Sequence, residues 1–136
     1  MPIWVEQVLR ILLAGALAGI IGFQRERAGK PVGLRTHALI GVGAAIFTLA
    51  GMFGFASADT SRVAAGIVTG IGFLGAGTIL HRSGGVIEGL TTAATIWLVA
   101  ALGVAAAVGM YAIAAVSTGI ALIVLYLPHP RSPGEK

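Results

Sequence analysis

The sequence predicts an all-α fold: a polytopic membrane helix bundle of about five transmembrane helices, with a glycine-rich third helix. Three observations predict it. Five apolar runs long enough to cross a bilayer follow one another along 136 residues. Only 10% of the residues are charged and 57% are hydrophobic, with a mean hydropathy of +0.95, whereas soluble domains carry about 25% charged residues. The basic residues gather in the short segments between the runs, as orienting charges do. Open strands would leave backbone groups without partners in hydrocarbon, so the runs are expected to be helices.

The length suits one compact domain. It divides into a transmembrane part, residues 1–127, and a short polar tail, residues 128–136. Cysteine is absent, which excludes disulfide and thiolate chemistry.

The first run spans Val5 to Phe23 and holds Arg10 near its start. No basic segment precedes it, and charge follows its small-residue region, so it reads as a retained helix and not a signal peptide. The second run spans His37 to Ala56. The third, Arg62 to Leu80, carries its only charge at its first residue and holds Gly66, Gly70, Gly72, Gly75 and Gly77. Interior glycine costs a soluble helix about 1 kcal/mol relative to alanine. In a membrane it lets a neighbouring backbone approach. The third helix is therefore expected at the centre of the bundle, with its glycines in close packing inside the monomer or across a dimer. The fourth run spans Leu90 to Val108 and the fifth Met110 to Leu127. Only Gly109 separates them, so they form either a tight hairpin or a re-entrant or broken pair.

Loop charge sets the orientation. Arg25, Arg27, Lys30, Arg35, Arg82, Arg131 and Lys136 fall on one side, and only Arg10 and Arg62 on the other. The positive-inside rule puts the N-terminus outside and the C-terminus in the cytoplasm. The net charge of +4 is explained by these loops, and no nucleic-acid partner is expected.

Several motifs invite chemistry. Gly70-Ile-Gly-Phe-Leu-Gly75 fits a dinucleotide pattern, but that pattern needs a strand before it and a phosphate at a helix start. Inside an apolar run, helix packing is the expected role, as for Gly15-x-x-x-Gly19 and Gly66-x-x-x-Gly70. There is no Walker sequence. Gln24-Arg-Glu-Arg27 is the leading functional candidate, with Glu26 held between Arg25, Arg27 or Arg35. Arg35, Thr36 and His37 open the second helix, where Thr36 is a cap candidate. Asp59, Thr60 or Ser61 caps the third helix, and Arg62 is expected to pair with Asp59. Glu88 suits the start of the fourth helix. Thr91, Thr92 and Thr95 either bond back to their own helix or link helices. A magnesium site needs oxygen ligands, for which Glu26 and Glu88 are the candidates. His37, His81 and His129 have no metal-ligand spacing. No cofactor is expected other than Mg²⁺.

Four segments in order carry a family resemblance. They are Gly-Phe-Gln-Arg-Glu-Arg (22–27), Gly-Leu-Arg-Thr-His (33–37), Ser-Arg-Val-Ala-Ala-Gly-Ile-Val-Thr-Gly-Ile-Gly-Phe-Leu-Gly-Ala-Gly (61–77) and Gly-Leu-Thr-Thr-Ala-Ala-Thr-Ile-Trp (89–97). Together they resemble the MgtC/SapB family of bacterial inner-membrane proteins. The chain departs from the common pattern at Thr60, where many members have Pro, at Gly66, where many have Gln, and at Glu88, where a basic residue is frequent. Some members carry a soluble C-terminal domain. This sequence ends in Pro-His-Pro-Arg-Ser-Pro-Gly-Glu-Lys, so that domain is expected to be absent.

The resemblance implies a role in adaptation to magnesium limitation or acid stress, and in pathogens inside host cells. It also implies regulation of another membrane complex, such as ATP synthase. The expected partners are the lipid bilayer, a second copy in a homodimer or small homo-oligomer, and that complex. The alternative is a small magnesium or ion transporter or channel, which would need a polar path at bilayer depth. An interfacial enzyme around Glu26, Asp59 or Glu88 ranks third, since no nucleophile–base pair is present.

Overall fold

The computed structural model describes residues 1–56, 59–82 and 86–128, with backbone alone for 80–82 and 86–88. Five helices run in sequence: α1 (Ile3–Arg27), α2 (Leu34–Phe53), α3 (Thr60–Ala76), α4 (Leu90–Val108) and α5 (Tyr111–Leu125). Helices α1, α2 and α4 are long and apolar enough to cross a membrane. The other two are shorter, 17 and 15 residues, or about 26 and 22 Å at 1.5 Å per residue. Between α3 and α4 lies a small antiparallel hairpin, β1 (Leu80–Arg82) and β2 (Val86–Glu88), with His81 opposite Ile87. The sequence gives no sign of this hairpin beyond Gly84-Gly85, which lies outside the described residues, as do His129 and the rest of the polar tail.

Local chemistry sets the helix ends. Helix α1 has Glu6 in its first turn and Arg25 and Arg27 in its last, each at the favourable pole of the dipole. It stops at Gly29, φ +74°, where the Lys30 N–H donates to the Arg25 carbonyl and the Gly29 N–H to the Glu26 carbonyl. That double return is a Schellman stop, which needs a left-handed residue. The same device ends α4 at Gly109, φ +91°. There Met110 returns to Ala105 and Gly109 to Ala106, so α4 and α5 form the tight hairpin. Asp59 caps α3 by accepting from the Arg62 N–H at 3.3 Å. Thr36 does not cap α2: the helix begins three residues earlier than the second run, after Gly33.

Helices α1, α2 and α4 form the centre, with α5 against α1 and α4 and α3 against α4 and α2. The core is rich in small residues, with Ala14, Ala18, Ala44, Ala45, Ala106 and Ala107 buried beside Ile21, Ile96, Val99 and Leu102. Lipid tails are as apolar as leucine, so helices associate in a membrane through close packing and not through burial from water. A Cβ on Gly103 would strike the Gly41 carbonyl and the Ala44 side chain, and one on Gly41 would strike Ala18. Large side chains such as Leu12, Phe47, Phe73 and Trp97 point outward, as a lipid-facing surface requires.

Helix α3 is peripheral, which corrects the expectation of a central third helix. It buries only Ile71 and Gly75. A Cβ added at Gly66, Gly70 or Gly72 meets no atom within 4 Å, and at Gly77 it meets only carbonyls of its own helix end. Of these glycines only Gly75 packs against another helix, where an added Cβ would lie 3.6 Å from the Ala93 carbonyl. Glycine content marks a surface suited to close approach, but the backbones that meet here belong to α1, α2 and α4. Gly66 and Gly70 instead line an open apolar groove of about 640 Å³ between α2 and α3, with Gly43, Phe47 and Val63.

Candidate functional site: a buried polar cluster joining three helices

Near one end of the bundle, polar side chains of α1, α2 and α4 converge. Arg25 stands in the last turn of α1, His37 in the first turn of α2, and Thr92 and Thr95 at the start of α4. Their exposures are 4%, 0%, 3% and 4%. Thr92 and Thr95 share a helix face because they are three residues apart. Arg25 Nη2 donates to Thr92 Oγ1 at 2.8 Å. His37 Nδ1 lies 2.8 Å from the Gly33 carbonyl and Nε2 lies 2.8 Å from Thr95 Oγ1. Thr95 Oγ1 is also 2.9 Å from the Thr92 carbonyl. Arg25 Nε and Gln24 Oε1 are buried without a partner among the described residues.

Glycines make the convergence feasible. A Cβ on Gly22 would sit 2.7 Å from His37 Cβ and 2.8 Å from Leu34 Cα, so glycine there brings α1 and α2 together. Gly89, φ +93°, precedes α4, and a side chain on it would run into the Thr78 carbonyl. Three of the four segments that carry the family resemblance therefore meet in space: Gly22 and Arg25, Gly33 and His37, Gly89 with Thr92 and Thr95.

The expected network around Glu26 does not form. Glu26 is exposed and lies against Gly33, and the only ion pair among the described residues is Arg10–Glu6. Consecutive helical residues point about 100° apart, so Arg25 turns into the core while Glu26 faces out. Arg27 sits over the Phe23 ring, 5.8 Å from its centroid, and Arg35 is exposed. Arg62 meets Asp59 through its backbone N–H and not its guanidinium. Asp59 also accepts from Ser61 Oγ at 2.8 Å. That hydroxyl first, then the Arg62 N–H, holds the Asp59 carboxyl below its ordinary range. Thr91 is exposed beside a groove between α4 and α5. The side chains of His81, Arg82 and Glu88 lie outside the described residues. No three His, Asp or Glu side chains gather among the described ones, and the expected pairing of Glu26 with Glu88 falls on a side chain outside them.

A second polar site, at the opposite end, was missed. Arg10 Nη1 donates to the Ala107 carbonyl at 2.6 Å, and Nη2 donates to Glu6 Oε1 at 2.6 Å. Its guanidinium lies 5.8 Å from the Tyr111 ring centroid. Arg10 thus ties α1 to the turn between α4 and α5. Its sequence signal is Glu6 four residues before an arginine inside an apolar run.

Apolar helices with polar side chains bonded across them at both ends define a polytopic membrane protein. The chain belongs to the MgtC family, whose model matches residues 11–132. It is 44% identical to YhiD of Escherichia coli (strain K12), which bears a provisional magnesium-transporter name, over 91% of this chain and 61% of that protein. It is 46% identical to the protein MgtC of Brucella abortus (strain 2308), over 87% of this chain and 50% of that one. With SrpB of Synechococcus elongatus the identity is 38%, over 90% and 74%. The chain therefore spans about three-fifths of YhiD and half of MgtC. No solved structure matches it.

Proposed function

We propose that the protein is a non-enzymatic regulator in the bacterial inner membrane. It acts in adaptation to low magnesium or acid stress by contacting another membrane complex, with ATP synthase the leading candidate. The observation that carries this reading is the closed centre of the bundle. Arg25, His37, Thr92 and Thr95 bond to one another across α1, α2 and α4, and farther along the axis the backbones of α2 and α4 meet at Gly41 and Gly103. Polar groups here tie helices together instead of lining a path. The N-terminus is outside and the C-terminus cytoplasmic, by the loop charges. The open groove beside Gly66 and Gly70 is the candidate surface for a homo-oligomer.

The second reading is a magnesium transporter, favoured by the name of the relative YhiD. Magnesium flux into proteoliposomes holding purified, monodisperse protein separates the two, with Glu26→Gln and Glu88→Gln as controls. The regulatory reading expects no flux above empty vesicles, and a membrane complex that co-purifies from cells starved of magnesium. Saturable flux lost in those variants would replace it with transport.

A further inference from the structure

His37 is a buried titratable group whose protonation neither reading uses. Its hydrogen bonds constrain where its protons sit. The Gly33 carbonyl can only accept, so Nδ1 must carry a proton. In the neutral ring Nε2 is then an acceptor, and the group facing it is the Thr95 hydroxyl at 2.8 Å. That hydroxyl has one proton. Given to Nε2, it is withdrawn from the Thr92 carbonyl. In the imidazolium, Nε2–H donates to Thr95 Oγ1, and the hydroxyl proton turns to the Thr92 carbonyl 2.9 Å away. Both protonation states are satisfied by one set of heavy-atom positions.

The surroundings couple this choice to α1. From α1, Arg25 reaches Thr92 Oγ1, three residues before Thr95 on α4. Glu26, also from α1, lies exposed against Gly33 and is not hydrogen-bonded to His37. Helix α4 presents the uncharged Thr92 and Thr95. No carboxylate is bonded into the cluster among the described residues. A proton on His37 therefore places a second cation near the buried guanidinium, and like charges repel strongly where water is scarce. Thr95 also borders a largely apolar groove between α4 and α5, where Thr91 and Ser117 are the other hydroxyl residues.

We propose that His37 is a proton-binding site. Its occupancy reverses the His37–Thr95 hydrogen bond, turns the Thr95 hydroxyl to the Thr92 carbonyl and weakens the hold of Arg25 on α4. The site is a property of the bundle and does not depend on which complex the protein contacts.

The test is ¹⁵N-histidine NMR of the full chain in lipid nanodiscs, with His81→Gln and His129→Gln so that His37 alone reports. At high pH the neutral ring should carry its proton on Nδ1, and on acidification both nitrogens should become protonated in one reversible step. A neutral ring protonated on Nε2, or a ring that keeps one state between about pH 4 and 9, overturns the site; the spectrum with native Arg25 decides this alone. Arg25→Gln should raise the midpoint by about one pH unit, a tenfold gain in proton affinity. Arg25→Lys, which keeps the charge, should leave it near the native value. An unmoved midpoint in Arg25→Gln overturns the coupling to Arg25.

Discussion

The Gly41 carbonyl of α2 occupies the space where a side chain on Gly103 of α4 would begin. This contact sets how closely the two central helices approach. Gly103→Ala must push α2 away from α4 or displace Ala44, and overpacking of this kind costs about 1–3 kcal/mol. Gly43→Ala, on a face of α2 with nothing within 4 Å, is the matched control. Unfolding in mixed micelles should show a clear loss for Gly103→Ala and none for Gly43→Ala. Equal behaviour would mean that the helices have freedom to part at this crossing.

Arg10 is expected to hold the α4–α5 turn on α1. Its bond to the Ala107 carbonyl is partly buried and charge-assisted, and such bonds contribute about 1.5–3 kcal/mol. Its partner Glu6 is half exposed, and a pair of that kind contributes about 0–1 kcal/mol. Arg10→Met should therefore destabilise the protein well beyond Glu6→Gln. Protease cutting at the Gly109 turn should rise in the first variant only. Equal losses in both would assign the stability to the ion pair.

Much of this was legible in the sequence, and particular residues show where legibility ends. The five helices follow from hydropathy, which needs no knowledge of neighbours. Asp59 was readable as a cap because its partner is three residues away. In sequence Arg25 sits with Glu26 and Arg27 in one charged cluster, and only helical phase separates it from them. Arg25 continues the stripe Ala14, Ala18, Ile21 at spacings of four, three and four. His37, Gly41, Ala44 and Thr48 repeat that pattern on α2. The glycines of α3 mislead for the opposite reason. Their number signals an approachable face, and only tertiary structure tells whether anything in the same chain approaches it.

That open face gives a prediction of its own. A Cβ added at Gly70 meets no other part of the protomer within 4 Å, so Gly70→Leu should leave the thermal stability of the isolated protomer within about 0.5 kcal/mol, as surface changes do. If copies associate through the α2–α3 groove, the same variant should reduce oligomer size in detergent light scattering. A destabilised protomer of unchanged size would place the role of Gly70 inside the fold.

Thr92 and Thr91 are adjacent on α4 but face opposite fates. Thr92 is buried and accepts from Arg25, while Thr91 is exposed. Thr92→Val keeps the shape and removes the acceptor, leaving a buried guanidinium with less to satisfy it. Stranding a buried donor costs about 1–3 kcal/mol. Thr91→Val should be close to neutral. Unfolding midpoints of the two variants in one detergent give the comparison, and similar values would mean that Arg25 finds another acceptor.

Asp59 supplies a pH dependence whose sign is fixed. Its carboxyl is held below the ordinary value near 4 by the Ser61 hydroxyl and then by the Arg62 N–H. A depressed folded-state pKa means that the carboxylate form favours the folded state. The contribution is fully present above the unfolded pKa and is lost as pH falls through the lower, folded one. The start of α3 should therefore loosen in acid below about pH 4, read by amide exchange at Ser61 to Ala64. Asp59→Asn removes the charge and should abolish this acid step. Ser61→Ala should move the step upward, towards the ordinary carboxyl value, because the hydroxyl is the larger of the two influences. An acid step that persists in Asp59→Asn would belong to another group. The site is fully exposed to solvent, so salt should flatten the step through screening, whereas the buried bond between Arg25 and Thr92 should be indifferent to it.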